Sequence, residues 1–349
     1  MAMRRKKLSE QVEEKVTKTI RKKQEEPEYD GSDITVSTGS TLLDLAITGG
    51  RFREGGVPLG ILVEIFGPSG VGKTVLLCQL AANIQKLGGE VKFYDPEARL
   101  NKQFARMFGL EVREDDYDIP DTVTQIFDGA RDWMKKEEKN DILRGIFADS
   151  LAALSTEMEM TEGDKMGMRR AKEFSQELRK TCRIIKQKNL LMACSNQVRK
   201  NLDAGPYGAK YTTPGGEAIG FYSSLRLRCF SSERIKVKKK IRRKEQERVI
   251  GVRTEVEVFK SSVWKPFRRA DVYILFDYGI DDVRGNLRYI KTVTGDTVYR
   301  IGDTKLSKSL NESILIVEED GLEQELKEEV INLWNEVEAH FKEERKPRR

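Results

Sequence analysis

Hydrophobic positions fall into two regimes along the chain. From about residue 34 to residue 225, short unbroken apolar runs alternate with stretches of helical period. ILVEIF (61–66), VKFYD (91–95), GIFADS (145–150) and NLLMACSN (189–196) are the apolar runs. A strand that is apolar at every position is covered on both faces of its sheet. Stretches at 73–87, 122–138 and 167–188 carry the helical period between them. Strand–helix alternation predicts an α/β fold with a doubly wound, mostly parallel sheet. Ligands in such sheets bind beyond the carboxyl ends of the strands.

After residue 225 the pattern becomes that of antiparallel strands around a basic hairpin: LRLRCF, RIKVKKKIRRKEQERVI and GVRTEVEVFK, closed by PFRRADVYILFDYGI. Two flanking pieces differ from this core. Residues 1–26 read as one amphipathic helix with Leu8, Val12, Val16 and Ile20 on a narrow stripe, and EEPEYDGSD (25–33) as a polar linker. A stripe that narrow calls for docking on another surface. The last part ends in a helix with Leu322, Leu326, Val330, Leu333, Val337 and Phe341 on one stripe. The expected organisation is an N-terminal helix and linker (1–33), an α/β core (34–282) and a small C-terminal α+β module (283–349).

Composition removes several chemistries. The 349 residues hold one histidine, His340, near the C-terminus, so a Ser-His-Asp triad or a His-rich metal site cannot form in the body of the chain. None of the four cysteines, Cys78, Cys182, Cys194 and Cys229, stands at CxxC spacing, and buried thiols in a reducing compartment are expected. No apolar run reaches the ~18 residues of a membrane span, and the basic start MAMRRKKLSEQ lacks the apolar stretch of a secretory signal. A cytoplasmic protein with no membrane partner is the expectation. The net charge is only +6, so where the charge lies matters more than its sum.

Gly67, Pro68, Ser69, Gly70, Val71, Gly72, Lys73 and Thr74 form a GxxxxGK[ST] loop between a strand and a helix. The glycines let successive N–H groups turn toward phosphate oxygens, and the helix N-terminus adds its positive end. Lys73 is placed to reach the β- and γ-phosphates of ATP, and the Thr74 hydroxyl to ligate Mg²⁺. Asp149, at the end of a buried strand, suits orienting the ion's water shell. Glu97, in the Asp95-Pro96-Glu97 strand end, is either the group that positions attacking water or a carboxylate capping the next helix. Gln197 ends another strand near the phosphates and can sense the γ-phosphate.

Residues 161–200 hold eleven basic and four acidic residues, a net +7. Lys172, Arg179 and Lys186 lie seven apart on one helix face, between the loop TEGDKMGM and the loop VRKNLDAGPYGAKYTTPGGEA. Two such loops on the carboxyl side of one sheet suit a groove for single-stranded nucleic acid, although an ordinary solvated face gives the same charge pattern. The densest positive stretch is 234–248, with nine basic residues against Glu245 and Glu247, a net +7 in fifteen residues.

Taken together, VSTGSTLLDLAITGG, EIFGPSGVGKT, FYDPEARLN, ADSLAALS, SNQVRKN, TTPGGEAIGFYSS and KSSVWKPFRRADVYILFDYGI stand in an order and spacing that resembles the bacterial and phage RecA recombinases. The resemblance is good over about 34–280 and looser at the ends. It implies a RecA-type P-loop ATPase that assembles into a helical homo-oligomeric filament on single-stranded DNA and holds ATP between protomers. It carries the catalytic glutamate to Glu97, the magnesium aspartate to Asp149, the γ-phosphate sensor to Gln197 and adenine-side positions to Asn101 and Phe104. It places DNA loops at about 159–168 and 198–217, with DNA-binding positions at Met166, Gly167, Lys172, Arg179, Arg199, Lys200, Gly215, Gly216 and Glu217. Phe221 matches a protomer-interface aromatic, and Lys260 a lysine acting on the neighbour's ATP.

Departures from the resemblance define the alternatives. Ser262 stands where a second trans lysine is usual, with Lys265 or Arg268 as nearby substitutes. Glu255 and Glu257 replace basic residues of the family's second DNA site, which leaves hairpin 234–248 as either the place for double-stranded DNA or a solvated tip kept soluble by its charge. Glu217 replaces a usual Asn, and the tail KEERKPRR is not acidic. A hexameric helicase shares the P-loop and sheet but not the TTPGGEA loop or the N-terminal helix. A nucleotide-gated DNA-binding or regulatory paralogue is the reading that Ser262 favours.

Overall fold

The computed structural model describes residues 34–135, 142–156, 167–200, 211–212, 217–343 and 345. The N-terminal helix read over 1–26, most of the first DNA loop including Met166, and Gly215 and Gly216 of the second lie outside the described residues. So does the end of the 122–138 stretch, whose helix is described as far as Lys135.

The chain enters through β1 (Thr35–Val36), α1 (Thr41–Thr48) and β2 (Val57–Pro58), then reaches β3 (Ile61–Gly67) and α2 (Lys73–Lys86). β4 (Glu90–Tyr94), α3 (Lys102–Met107), β5 (Tyr117–Asp118), α4 (Val123–Lys135) and β6 (Arg144–Ala148) follow. α5 (Gly167–Gln187), β7 (Leu191–Gln197), the short pair β8 (Arg199–Lys200) and β9 (Tyr211–Thr212), and α6 (Glu217–Tyr222) complete the alternating part. β10 (Leu225–Ile241), β11 (Lys244–Ser261), β12 (Arg269–Leu275) and β13 (Gly279–Ile280) extend it. α7 (Asp282–Thr294), β14 (Arg300–Ile301), β15 (Thr304–Lys305), α8 (Leu310–Glu319) and α9 (Glu323–His340) end the chain.

One nine-stranded sheet runs in the order β13-β12-β11-β10-β3-β7-β6-β4-β5. The pairings from β10 through β5 are parallel, and those from β10 out to β13 are antiparallel. The expected doubly wound sheet is therefore present with an antiparallel extension on one edge. Alternation along β3 shows why its whole run is apolar. Ile61, Val63 and Ile65 join the cluster that holds α2, while Leu62 joins the cluster on the other face. That second cluster is filled by Val123, Ile126, Phe127, Ala130 and Met134 of α4 and by Phe174, Leu178 and Ile185 of α5. These positions recur at the i, i+3, i+4, i+7 spacing of a helix with one buried face. Phe127 and Phe174 meet edge to face at 6.2 Å, a contact whose truncation costs about 3–5 kcal/mol.

The C-terminal helices share a core with the sheet. Leu287 and Ile290 of α7, Val317 of α8 and Leu326, Val330, Ile331 and Trp334 of α9 belong to the same cluster as α1 and β12. The buried face of α9 differs from the stripe read from sequence. Ile331 and Trp334 point inward, whereas Phe341 is 82% exposed because α9 ends at His340 and Phe341 is its C-cap. All four cysteines are free thiols, three of them buried.

Candidate nucleotide-binding site

The loop between β3 and α2 is shaped by where glycine is tolerated. Gly70 and Gly72 have φ of 78° and 86°, a left-handed conformation that favours glycine. A Cβ on Gly72 meets Ile274 at 2.3 Å, and one on Gly67 meets the Cys229 carbonyl at 2.3 Å. The loop is thus pressed between its own helix and the antiparallel strands β10 and β12. Val71 turns into the core and its carbonyl accepts from Thr254 Oγ1 at 3.0 Å. Ser69, Gly70 and Gly72 face the cleft beside Lys73 and Thr74.

That cleft has a volume of about 630 Å³. It lies at the carboxyl end of the parallel strands, where the topology places ligands. Lys73 is 8% exposed and donates Nζ to the carbonyls of Gly67 at 3.0 Å and Pro68 at 2.7 Å. Asp149, the residue after β6, accepts from the Thr74 hydroxyl and from the Ser195 hydroxyl of β7. Burial pulls the Lys73 ammonium below its usual range, against the attraction of Cys229, Asp149 and Glu97. Burial likewise pushes the Asp149 carboxyl up, against its hydrogen bonds from Ser195 and Thr74. Each of these charges is short of solvation, so the pocket favours an anion at Lys73 and a cation at Asp149. Among the described residues no group of three His, Cys, Asp or Glu side chains could hold a metal by itself. A hydroxyl beside a carboxylate fits Mg²⁺, which keeps several waters and takes other oxygens from substrate phosphate.

Glu97 stands on the turn that follows β4. Asp95 builds that turn by accepting from the Leu100 N–H at 2.7 Å and the Tyr117 hydroxyl at 2.8 Å. The Glu97 carboxylate accepts from Ser150 Oγ at 2.8 Å and pairs with Arg99 at 2.7 Å. Gln197, at the end of β7, points its Nε2 at Glu97 Oε1, 3.5 Å away. Lys73, Thr74, Asp149, Glu97 and Gln197 therefore meet in one cleft, as their places at strand ends predicted. Capping of the following helix falls to Asn101, whose side chain accepts from the N–H groups of Gln103 and Phe104. Asn101 and Phe104 line the same cleft, and Phe104 meets Phe108 edge to face at 4.5 Å.

Sequence reasoning missed the roof of this cleft. Val252, Ile274 and Phe276 cover it from the antiparallel extension, and only the pairing of β12 with β11 brings them there. It also missed a buried ion pair beneath the site. Glu64, fully buried on β3, accepts from Asn196 Nδ2 at 3.0 Å and pairs with Arg226 at 2.6 Å. The Arg226 guanidinium lies over the rings of Phe66 and Phe259.

Positions assigned to DNA or to a neighbouring protomer are more scattered. Lys172 and Arg179 are exposed on α5, Gly167 opens that helix, and Arg199 and Lys200 form the two-residue strand paired with β9. Glu217 begins α6, and Phe221 on that helix is 76% exposed. Lys260 donates Nζ to the carbonyls of Gly220 and Phe221, both at 2.9 Å. Arg268, one of the nearby substitutes for the missing lysine, bonds Glu338 and the Gly49 carbonyl of its own chain and lies over Trp334. Lys265 is exposed.

Comparisons with known proteins bear on the family of the chain. A family model described as the RecA N-terminal domain matches residues 7–281. Protein RecA of Acholeplasma laidlawii (strain PG-8A) is 31% identical over 326 residues, covering 90% of each chain. Protein RecA of Rickettsia africae (strain ESF-5) is 37% identical over 247 residues, covering 70% of this chain and 67% of its own. A crystal structure of the RadB recombinase superposes with a TM-score of 0.49 at 19% identity, covering 70% of this chain and 98% of that one. A P-loop in its strand–helix setting, a strand-end aspartate bonded to the P-loop threonine and a match over most of the sequence lead to one statement: the chain belongs to the RecA family.

Proposed function

We propose that this protein is a DNA-dependent ATPase that assembles into helical filaments on single-stranded DNA and pairs that strand with homologous duplex in recombination and repair. The observation that carries this reading is the convergence of Lys73, Thr74, Asp149, Glu97 and Gln197 on one cleft at the carboxyl edge of the sheet. Lys73 holds the β- and γ-phosphates, exchanging its two carbonyl acceptors for phosphate oxygens. Thr74 and Asp149 hold Mg²⁺, the aspartate through water; when bound, the ion neutralises charge on the phosphates. Glu97 positions the attacking water and accepts its proton. Gln197 lies between the cleft and β8, so a change at its amide passes to the second DNA loop.

Lys260 belongs, on this reading, to the protomer interface with Phe221, where it serves the neighbour's nucleotide. Single-stranded DNA takes the loops at 159–168 and 198–217 together with Lys172, Arg179, Arg199 and Lys200. Hairpin 234–248 meets the duplex, and the protein acts in the cytoplasm. D-loop formation with and without ATP tests the whole: joint molecules that need both ATP and homology support it, and ATP turnover without pairing refutes it. The second reading, a nucleotide-gated DNA-binding regulator, is favoured by Ser262 in place of the second trans lysine. Absence of DNA-stimulated ATP turnover selects it.

A further inference from the structure

β10 and β11 run beyond the sheet as a two-stranded ribbon closed by Arg242 and Arg243, whose φ values of 47° and 70° make a tight two-residue turn between Ile241 and Lys244. Residues directly opposite on paired strands share a face, so the register divides the ribbon's charge. Lys236, Lys238 and Lys240 lie on one face with Glu245 and Glu247. There Lys236 pairs with Glu247 at 2.8 Å and Lys238 with Glu245 at 3.1 Å, and this face is close to neutral. On the other face Val237 stands opposite Arg248, Lys239 opposite Gln246, and Ile241 opposite Lys244. No acidic residue shares that second face from Val237 to Arg248.

The cationic face continues the face on which Glu255 and Glu257 stand nearer the sheet. Register shifts at Cys229/Ser232 and Ile235/Lys236 preserve this continuity. Glu257 faces Arg228 and pairs with it at 2.7 Å, and Arg269 pairs with both glutamates. The base of this surface is therefore compensated. Its unbalanced positive charge lies about 25–40 Å outward from Glu255, at ~3.4 Å per residue along β11.

We propose that the phosphate backbone of duplex DNA docks on the Lys239–Lys244–Arg248 face of the ribbon and on the adjoining arginine turn, and that the opposite face takes no part. This rests on the reading above that the protein handles a second DNA. Charge complementarity supplies the attraction, and a paired ribbon presents its cations with little ordering cost. The absence of aromatic residues from 231 to 258 selects duplex over single strand, since single-stranded sites are built on stacking rings. Contacts to phosphate alone carry no sequence code.

The test compares two triple variants of the full chain with equal charge loss, Lys239→Ala/Lys244→Ala/Arg248→Ala and Lys236→Ala/Lys238→Ala/Lys240→Ala. Binding of a labelled duplex is titrated from 50 to 200 mM salt, on filaments preassembled on single-stranded DNA and on free protein. The first variant should lose about tenfold or more in duplex affinity, and the slope of log K against log salt should fall by about 2.7, at ~0.9 per phosphate contact. The second should stay within about threefold of the parent. Equal losses in both variants overturn the face assignment, no loss in either removes the ribbon from DNA binding, and equally strong binding of a single-stranded oligonucleotide by the ribbon overturns the duplex. DNA-stimulated ATP turnover of the parent protein, measured separately, reports on the filament reading, and the free-protein titration reports on the ribbon even where no filament forms.

Discussion

The ammonium of Lys260 donates to the backbone carbonyl of Phe221 at 2.9 Å, joining the end of β11 to a helix whose aromatic residue faces outward. A cation on the last carbonyls of a helix is favourable. Burial nonetheless pulls the Lys260 ammonium down, with Arg226 adding to that effect and Glu64 opposing it. Lys260 therefore holds α6 in place in its own chain, and the proposed role toward a neighbour's nucleotide requires it to leave these carbonyls.

Replacement of Lys260 by Ala is expected to reduce DNA-stimulated ATP turnover by about a hundredfold, the scale of losing one cation that stabilises developing phosphate charge. Nucleotide affinity should change less than about threefold. Steady-state turnover with and without single-stranded DNA, beside fluorescent-nucleotide binding, makes the check. Undiminished stimulation places the trans charge elsewhere, with exposed Lys265 as the next residue to change.

Lys73→Ala removes the cation that sits on the Gly67 and Pro68 carbonyls. ATP turnover should fall to background while thermal unfolding stays within a few degrees of the parent. Turnover like the parent's sinks the P-loop assignment.

Glu97→Gln keeps the shape and the bond from Ser150 but removes the proton acceptor. Turnover should drop by about 10²–10⁴, with ATP still bound and filaments on single-stranded DNA persisting longer in electron micrographs. A drop below about fivefold reduces Glu97 to a partner of Arg99.

A fourth expectation concerns pH. Asp44 of α1 is buried and accepts from Ser37 Oγ at 2.5 Å, and from Thr38 N–H and Thr38 Oγ1, both at 2.7 Å. Burial outweighs these bonds, with nearby Asp282 adding to it, and its carboxyl is pushed up to about 7. The folded state thus binds a proton that the unfolded chain releases near 3.8. This group's contribution is full below that unfolded value and is lost as pH rises through about 7, on the order of a few kcal/mol in all. Urea denaturation at pH 5 and pH 7.5 should show a smaller stability difference in Asp44→Asn than in the parent. An equal difference shows that Asp44 titrates like an exposed carboxyl.

Much of the site was legible because its chemistry is local. Gly67–Thr74 is one continuous loop, and Asp149, Glu97 and Gln197 each follow an apolar strand whose end the sequence marks. What could not be read depends on which strands pair. Ile274 and Val252 roof the cleft only through the register of β11 with β12. Glu64 looks like a polar interruption of ILVEIF, and its partner Arg226 lies 162 residues away. Glu255 and Glu257 read as a loss of positive charge because Arg228 and Arg269, which balance them, sit on the adjacent strands. The outer turns of α9 misled for another reason: a periodic stripe does not say where a helix stops, and Phe341 lies just past that end.

β10 borders the P-loop at one end and forms the basic ribbon at the other. It is hydrogen-bonded in parallel to β3 from Leu225 to Arg228, beside the P-loop, and then continues through two register shifts to the turn at Ile241. From Ser232 to that turn the ribbon reaches about 30 Å at ~3.4 Å per residue. It is a lever rooted in the nine-stranded sheet. A tilt of about 5° at its root moves the tip by about 3 Å over that length, about the length of one hydrogen bond. Small adjustments beside the P-loop are therefore geometrically amplified at the far end of the strand pair.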